Sequence, residues 1–226
     1  MAWQFTITKI RKDIAGFDML GTVNLAAFIV SGIGLNLYPG QDTIYIISRS
    51  LSQGRKAGIL SVLGISTGGL CHTMIAALGL SSLLLASPDL FMVVKISGAL
   101  YLIYLGLRFL FNSKNTNFPA EGYLSKLSSL QIYRQGLLTN LLNPKVALFF
   151  LSFLPQFIDP VKGRGFVSFI FLGSIFLATG TIWCLIVALF SAQVAQRLRQ
   201  NPRCLFYMEK AAGCILIGIG VTLFFR

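Results

Sequence analysis

Charge is what this sequence is short of. Only 12% of its 226 residues are Asp, Glu, Lys or Arg, about half the fraction of a soluble domain. A water-soluble globule is thereby excluded, and a hydrophobic fraction of 55% with mean hydropathy +0.75 places the chain in a lipid bilayer. Acid is scarcer than base, seven residues against nineteen, for a net charge of +12. The basic residues form no face with interleaved aromatics, so nucleic acid is not an expected partner. With one histidine and no cluster of ligand residues, no metal and no cofactor are expected. No paired carboxylates and no nucleophile–base set appear, so an enzyme is not expected either. The four cysteines, Cys71, Cys184, Cys204 and Cys214, form no CxxC pair and fall in or beside apolar runs, as inert buried thiols do.

What the chain does have is long apolar runs. Six can be read, at roughly 22–50, 57–86, 90–111, 129–158, 165–194 and 204–225, each long enough for the ~20 residues of a spanning helix. The expected architecture is an all-α polytopic membrane protein with six transmembrane segments. A single transmembrane transporter domain would fill 1–226: an N-terminal extension at 1–20, repeat one over about 21–111, a polar linker over about 112–128 and repeat two over about 129–226. Residues 1–18 resemble the charged front of a signal peptide, but no small-residue cleavage site follows, so a retained first helix is expected. Met19 is an alternative start, because the patterned membrane sequence begins just after it.

Two of the runs are interrupted. Pro39-Gly40, followed by Gln41 and Asp42, breaks the first; Asn143-Pro144, followed by Lys145 and preceded by Asn140, breaks the fourth. Proline cannot donate a backbone hydrogen bond and glycine tolerates non-helical dihedrals. In lipid such a break is tolerated only where the freed backbone lines a cavity or is buried in protein. Matched breaks in the two halves of a membrane chain point to a transporter's binding site. The halves echo one another elsewhere: Gln53-Gly54-Arg55 with Lys162-Gly163-Arg164 and Gly64 with Gly173 at an offset of 109, and Lys95 and Gly98 with Lys210 and Gly213 at 115. A duplicated unit with three helices must enter the membrane upside down the second time, which predicts inverted repeats.

Loop charge sets the orientation. Arg49, Arg55, Lys56, Arg108, Lys114, Lys126, Arg134, Arg197, Arg199 and Arg203 fall on one side; Lys162, Arg164 and Arg226 fall on the other, joined by Lys9, Arg11 and Lys12. The positive-inside rule then puts both termini on the outer side. The Gly64–Gly68 spacing and Gly213, Gly218 and Gly220 let helices approach closely, within the chain or across a homodimer.

Asp42 is the acid nearest the middle of an apolar run. A charged carboxylate there costs roughly 3 kcal/mol, so it must face a cavity or pair with a base. It is either a proton-coupling group or a cap on a half-helix starting at Thr43. Lys145 sits at the equivalent depth of the second half, where it pairs with Asp42 across a central site or snorkels to an interface. An Asp42–Lys145 pair would open to receive the ammonium and carboxylate of a zwitterion. Asn36, Gln41, Asn140 and Asn143 flank the breaks, where their amides satisfy unwound backbone or read a polar ligand. His72 is a hydrogen-bonded core histidine or a proton relay. Lys95 and Lys210 read as anchors, and Trp183, Tyr101, Tyr104 and Tyr207 as packing or belt aromatics.

Pro39-Gly40-Gln41-Asp42, Gly54-Arg55-Lys56-Ala57-Gly58, Gly64-Ile65-Ser66-Thr67-Gly68, Lys95 through Gly106, Asn143-Pro144-Lys145 and Leu154-Pro155-Gln156-Phe157-Ile158-Asp159 together resemble the LysE/RhtB family of amino-acid exporters. The resemblance covers roughly 20–226. It implies a carrier in a bacterial-type inner membrane that expels small amino acids or their derivatives, with protons as the coupling ion. Gln41 stands where that family has the second proline of Pro-Gly-Pro. Membrane thiol–electron carriers of the DsbD/CcdA type resemble the same 3+3 plan but carry a cysteine beside each break, and here none adjoins either one. A non-transporting membrane scaffold is the third reading.

Overall fold

In the computed structural model, residues 20–111, 125–159, 161–200 and 202–222 are described. The expectations for most of the N-terminal extension, including Met19, and for most of the linker lie outside them. The described residues are helical, with no strand beyond an isolated bridge between Thr22 and Ile158. In order, the helices are α1 (Leu25–Leu37), α2 (Gln41–Ala86), α3 (Pro88–Phe111), α4 (Ser129–Leu141), α5 (Pro144–Ser152), a 3-10 turn (Leu154–Phe157), α6 (Phe166–Leu189), α7 (Ser191–Gln200) and α8 (Pro202–Thr222). Three of them are long and apolar enough to cross a membrane, or four spans if α4 and the segment from Pro144 to Phe157, bent by 49°, are one.

The 46 residues of α2 do not form one rod. Gly54 has φ 81° and ψ 179°, a region open in practice only to glycine, and the helix turns back on itself there. Ile46 and Ile47 from its first arm pack with Val62 and Ile65 from its second. Gly58 meets Ser50 so closely that a Cβ at position 58 would collide with the Ser50 hydroxyl. The separate runs at 22–50 and 57–86 are therefore joined by a one-residue turn. At the other end of the run at 165–194, α6 stops at Leu189 because Phe190 leaves helical geometry (φ −112°, ψ 28°), and the polar α7 follows as a helix of its own.

Local chemistry explains both interrupted runs. α1 ends at Leu37, the chain is extended through Tyr38 and Gly40, and α2 begins at Gln41. α4 starts on a capping box in which Ser128 accepts from the Gln131 amide and the Gln131 side chain accepts from Ser128 N–H. It ends at Leu141; α5 restarts with Pro144 in its first turn and the Asn143 side chain accepting from Lys145 N–H at 3.0 Å.

Two ends of the bundle can be told apart by contact. At one, Val23 N–H donates to Phe157 and Asp159 N–H donates to Gly21, tying the start of α1 to the turn after α5. At the other, the Gln53 side-chain amide pairs with the Leu127 backbone like a peptide, donating at 3.0 Å and accepting at 3.1 Å. Arg55, Lys56 and Lys126 gather at this second end.

Between the ends lies an aromatic core. Phe28 packs against Phe153 and Phe157 at centroid distances of 5.4 and 5.1 Å, and Phe91 meets Phe169 edge-on. The outside is apolar too: Val30, Leu63, Ile75, Leu78, Val93 and Leu100 all point outward, as expected where the solvent is hydrocarbon. Gly64 and Gly68 meet α4 within the chain: a Cβ on Gly64 would collide with the Tyr133 carbonyl, and one on Gly68 would lie 2.7 Å from Asn140 Oδ1. Lys95 donates to the carbonyl of Ile158 and Lys210 to those of Phe109 and Leu110. Both lysines thus satisfy carbonyls at the ends of other elements.

Candidate functional site

The two breaks meet around one cavity of about 120 Å³, several times the space one water needs. α1 contributes Leu35 and Asn36; the first break contributes Tyr38, Gly40, Asp42 and Thr43; the second contributes Asn140, Asn143 and Lys145. The walls are apolar and aromatic, with Tyr101, Leu102, Leu105 and Phe109 from α3, Phe149 and Phe150 from α5, and Phe176, Leu177 and Trp183 from α6. Phe149 stacks on Phe176 at 4.3 Å, closing that side.

Asp42 sits in the first turn of α2, where the helix dipole favours an anion. The helix begins at Gln41, with Gly40 in the capping position, so the carboxylate does not act as the cap of a helix starting at Thr43. Its Oδ2 accepts from Asn140 Nδ2 at 2.8 Å, while Oδ1 is buried without a hydrogen-bond partner. Lys145, His72 and Cys184 are the ionisable side chains that interact with its charge. Lys145 lines the same cavity, with its ammonium 4.5 Å from the centre of the Tyr38 ring, in a cation–π contact. The two charges therefore share a chamber while each keeps a different partner.

His72 does not line the cavity. It is buried behind it, stacked on Phe150, with Nε2 3.2 Å from the Asn140 carbonyl. A carbonyl only accepts, so Nε2 carries the proton. That carbonyl stands at the C-terminal end of α4, where it also accepts from Asn143 N–H, and His72 braces the break there. Asn140, on α4, thus joins both arms of α2: its backbone carbonyl meets the second arm at His72 and its amide the first at Asp42. Its Oδ1 is buried with no partner. Asn36 Nδ2 donates to Thr179 Oγ1 at 3.2 Å, tying α1 to α6 across the cavity.

Gln41 departs from its neighbours. It is exposed and lines a separate open groove with Ile44, Tyr45, Ser48 and Arg49 from α2 and Gln135, Leu138, Thr139 and Leu142 from α4 and its end. Arg49, counted above among loop charges, is 7% exposed and lies inside the packed hairpin. Lining residues beyond the expected site include Tyr101, Trp183 and Cys184. Tyr101 and Trp183 read from sequence as packing or belt aromatics, and Trp183 Nε1 is buried with no acceptor among the described residues. Cys184, the third, lines the cavity although no cysteine adjoins a break in sequence. A helix-face count on α6 would have placed Gly180, Trp183 and Cys184 together, at spacings of three and four.

The LysE type translocator family model matches residues 33–226. The chain is 32% identical over 207 residues to the uncharacterized membrane protein YrhP of Bacillus subtilis, covering 88% of this chain and 97% of that one. An uncharacterized membrane protein of Pseudomonas aeruginosa is 30% identical over 211 residues, 90% of this chain and 96% of its own length. The leucine efflux protein of Salmonella typhimurium is 32% identical over 158 residues, 70% of this chain and 74% of its own. No solved structure matches the chain. The match spans both breaks, the α2 hairpin and every residue that lines the cavity, and the chain belongs to the LysE type translocator family.

Proposed function

We propose that this protein is a proton-coupled carrier that expels amino acids with apolar side chains across a bacterial cytoplasmic membrane. The cavity carries the reading. Asp42, Asn140, Asn143 and Lys145 line one part of it and Leu102, Leu105, Phe149, Phe150 and Phe176 another. A zwitterion with a hydrocarbon tail has the same division. Asp42 receives the ammonium, Lys145 leaves the Tyr38 ring for the carboxylate, and the tail lies against the aromatic wall. The likeness to a leucine efflux protein supports this substrate class.

Coupling runs through Asp42. Its unpartnered Oδ1 takes a proton when the cavity faces one side and the substrate's ammonium when it faces the other, so both cannot be carried at once. His72, committed to the Asn140 carbonyl, acts as a brace for that exchange.

The two breaks, in contact through Asn140 and Asp42, support a six-span inverted repeat. α1 with the first arm of α2 makes one broken span and α4 with α5 its counterpart; the second arm of α2, α3, α6 and α8 supply the rest. The end carrying Arg55, Lys56 and Lys126 then faces the cytoplasm, with both termini outside.

The test is uptake of L-leucine by liposomes holding the purified protein. Leucine should accumulate when a pH gradient is imposed, and an Asp42→Asn variant should lose the response. No leucine movement under any gradient would refute the carrier. Movement indifferent to pH in the parent protein would remove the coupling and leave the carrier.

A further inference from the structure

Among the described residues, Arg49 is a cation without an anion. Its guanidinium donates to three neutral acceptors, Gln53 Oε1 at 3.2 Å, the Ser125 carbonyl at 3.3 Å and Gln135 Oε1 at 3.1 Å, and lies 5.9 Å from the centre of the Tyr45 ring. Among the described residues no carboxylate pairs with it. The residue is only 7% exposed, and its Nε is buried without a partner. A charge withdrawn from water needs a counter-charge or a full set of hydrogen bonds, and among the described residues this one has neither. It also lines the open groove between α2 and α4, whose remaining polar residues, Gln41, Tyr45, Ser48, Gln135 and Thr139, are all uncharged.

The groove and the central cavity share a wall. Gln41 and Ile44 face the groove, while Asp42 and Thr43, in the same helical turn, face the cavity. On α4 the adjacent residues Thr139 and Asn140 divide in the same way. Arg49 is seven residues beyond Asp42 toward the basic end of the bundle, roughly 10 Å along the helix.

We propose that this groove is a second binding site, in which Arg49 anchors the carboxylate of a small organic acid before it reaches the cavity. Three of the five guanidinium N–H groups are donated within the protein, which leaves Nε–H and one Nη2–H, the kind of donor pair a carboxylate accepts best. The exported amino acid would then meet two cations in succession, Arg49 at the basic end and Lys145 at the centre. This last step rests on the carrier reading; the carboxylate site itself does not.

Two measurements separate the two. The first is binding of radiolabelled 4-methylpentanoate, leucine without its amino group, to the purified protein. Binding should weaken at least tenfold in Arg49→Gln and by less in Arg49→Lys, while isoamylamine, which lacks the carboxylate, behaves the same in all three. The second is L-leucine transport in liposomes, with substrate offered to one face at a time. Arg49→Gln should raise the KM about tenfold at the basic end and leave the KM at the opposite end, and the maximal rate, within twofold. Should Arg49→Gln fold poorly, Ser48→Leu, which fills the groove and leaves the guanidinium in place, should raise the same KM.

Equal losses of rate at both faces with unchanged KM would make Arg49 a structural clamp and overturn the site. A KM effect that disappears in vesicles without anionic phospholipid would assign the guanidinium to a lipid phosphate and overturn it as well. So would a Glu121→Gln variant that reproduces Arg49→Gln in every respect, since Arg49 would then belong to an internal ion pair. If 4-methylpentanoate binding depends on Arg49 but leucine does not move, the site stands and the carrier reading falls.

Discussion

Asn140 gives its side-chain amide to Asp42 at 2.8 Å and its backbone carbonyl to His72 at 3.2 Å. One residue at the second helix break thereby positions the carboxylate at the first. An Asn140→Ala substitution removes the hydrogen bond to Asp42 Oδ2, a loss of about 1–3 kcal/mol for a buried acceptor. Transport of L-leucine should fall at least tenfold while the protein still inserts. The double variant Asn140→Ala/Asp42→Asn should be no worse than Asp42→Asn alone. Additive losses in such a cycle would mean that the two side chains act separately.

Close backbone approach holds α4 against α2, so a single methyl group should move the site. A Cβ on Gly64 collides with the Tyr133 carbonyl and stands 2.8 Å from Leu137 N, whereas one on Gly79 meets nothing within 4 Å. Gly64→Ala should therefore displace α4, lower the detergent-solubilised melting temperature by several degrees and reduce transport. Gly79→Ala should leave both within error. Equal melting temperatures for the two variants would contradict the tight packing of α4 on α2.

Both breaks could be read from the chain because their causes are local: proline and glycine alter the backbone wherever they stand, as Pro39-Gly40 and Asn143-Pro144 do. Asp42 and Lys145 could be singled out because charge is rare in an apolar run. Their partners were another matter. That Asp42 bonds Asn140 and Lys145 lies over Tyr38 depends on how α4 and α1 settle against α2. Gln41 is instructive, since adjacent residues in a helix point about 100° apart. It could not share the face of Asp42 once the helix began at Gln41. Trp183 and Cys184 reach the cavity through the crossing of α6, about which no nearby residue carries information. Arg49 did leave a signal, a base inside the run at 22–50 one turn from Tyr45, but charge counting assigned it to a loop.

The turn between the 3-10 segment and α6 is held by Asp159. Its Oδ1 accepts from Val161 N–H at 2.8 Å and Lys162 N–H at 3.0 Å. Chiefly the Lys162 backbone bond holds the carboxyl below the usual carboxylate range. A depressed value in the folded protein means that the carboxylate steadies this turn at neutral pH, and that the contribution fades as pH falls through the acid range. Asp159→Ala should speed trypsin cleavage after Lys162 and Arg164 several-fold at pH 8. With the proposed orientation, trypsin outside right-side-out vesicles makes those cuts, and trypsin confined to the cytoplasmic face does not. Cleavage from the cytoplasmic face alone would reverse the orientation.

Tyr38 offers a way to weigh the resting place of Lys145. The ring lies 4.5 Å from the ammonium and packs on Phe109 at 5.0 Å, so it contributes both a cation–π contact and a piece of the cavity wall. If Lys145 must leave this ring to meet a carboxylate, weakening the contact should favour the substrate. Tyr38→Leu keeps an apolar surface but removes the π face, a change of about 1–2 kcal/mol for a desolvated pair. Leucine affinity should then rise severalfold in equilibrium binding, and Lys145→Gln should lose affinity in either background. In the opposite case, where the ring holds the ammonium in its substrate-binding position, Tyr38→Leu lowers affinity instead. The direction of that one change therefore decides whether the lysine in this structure is parked or poised, independently of how large the effect is.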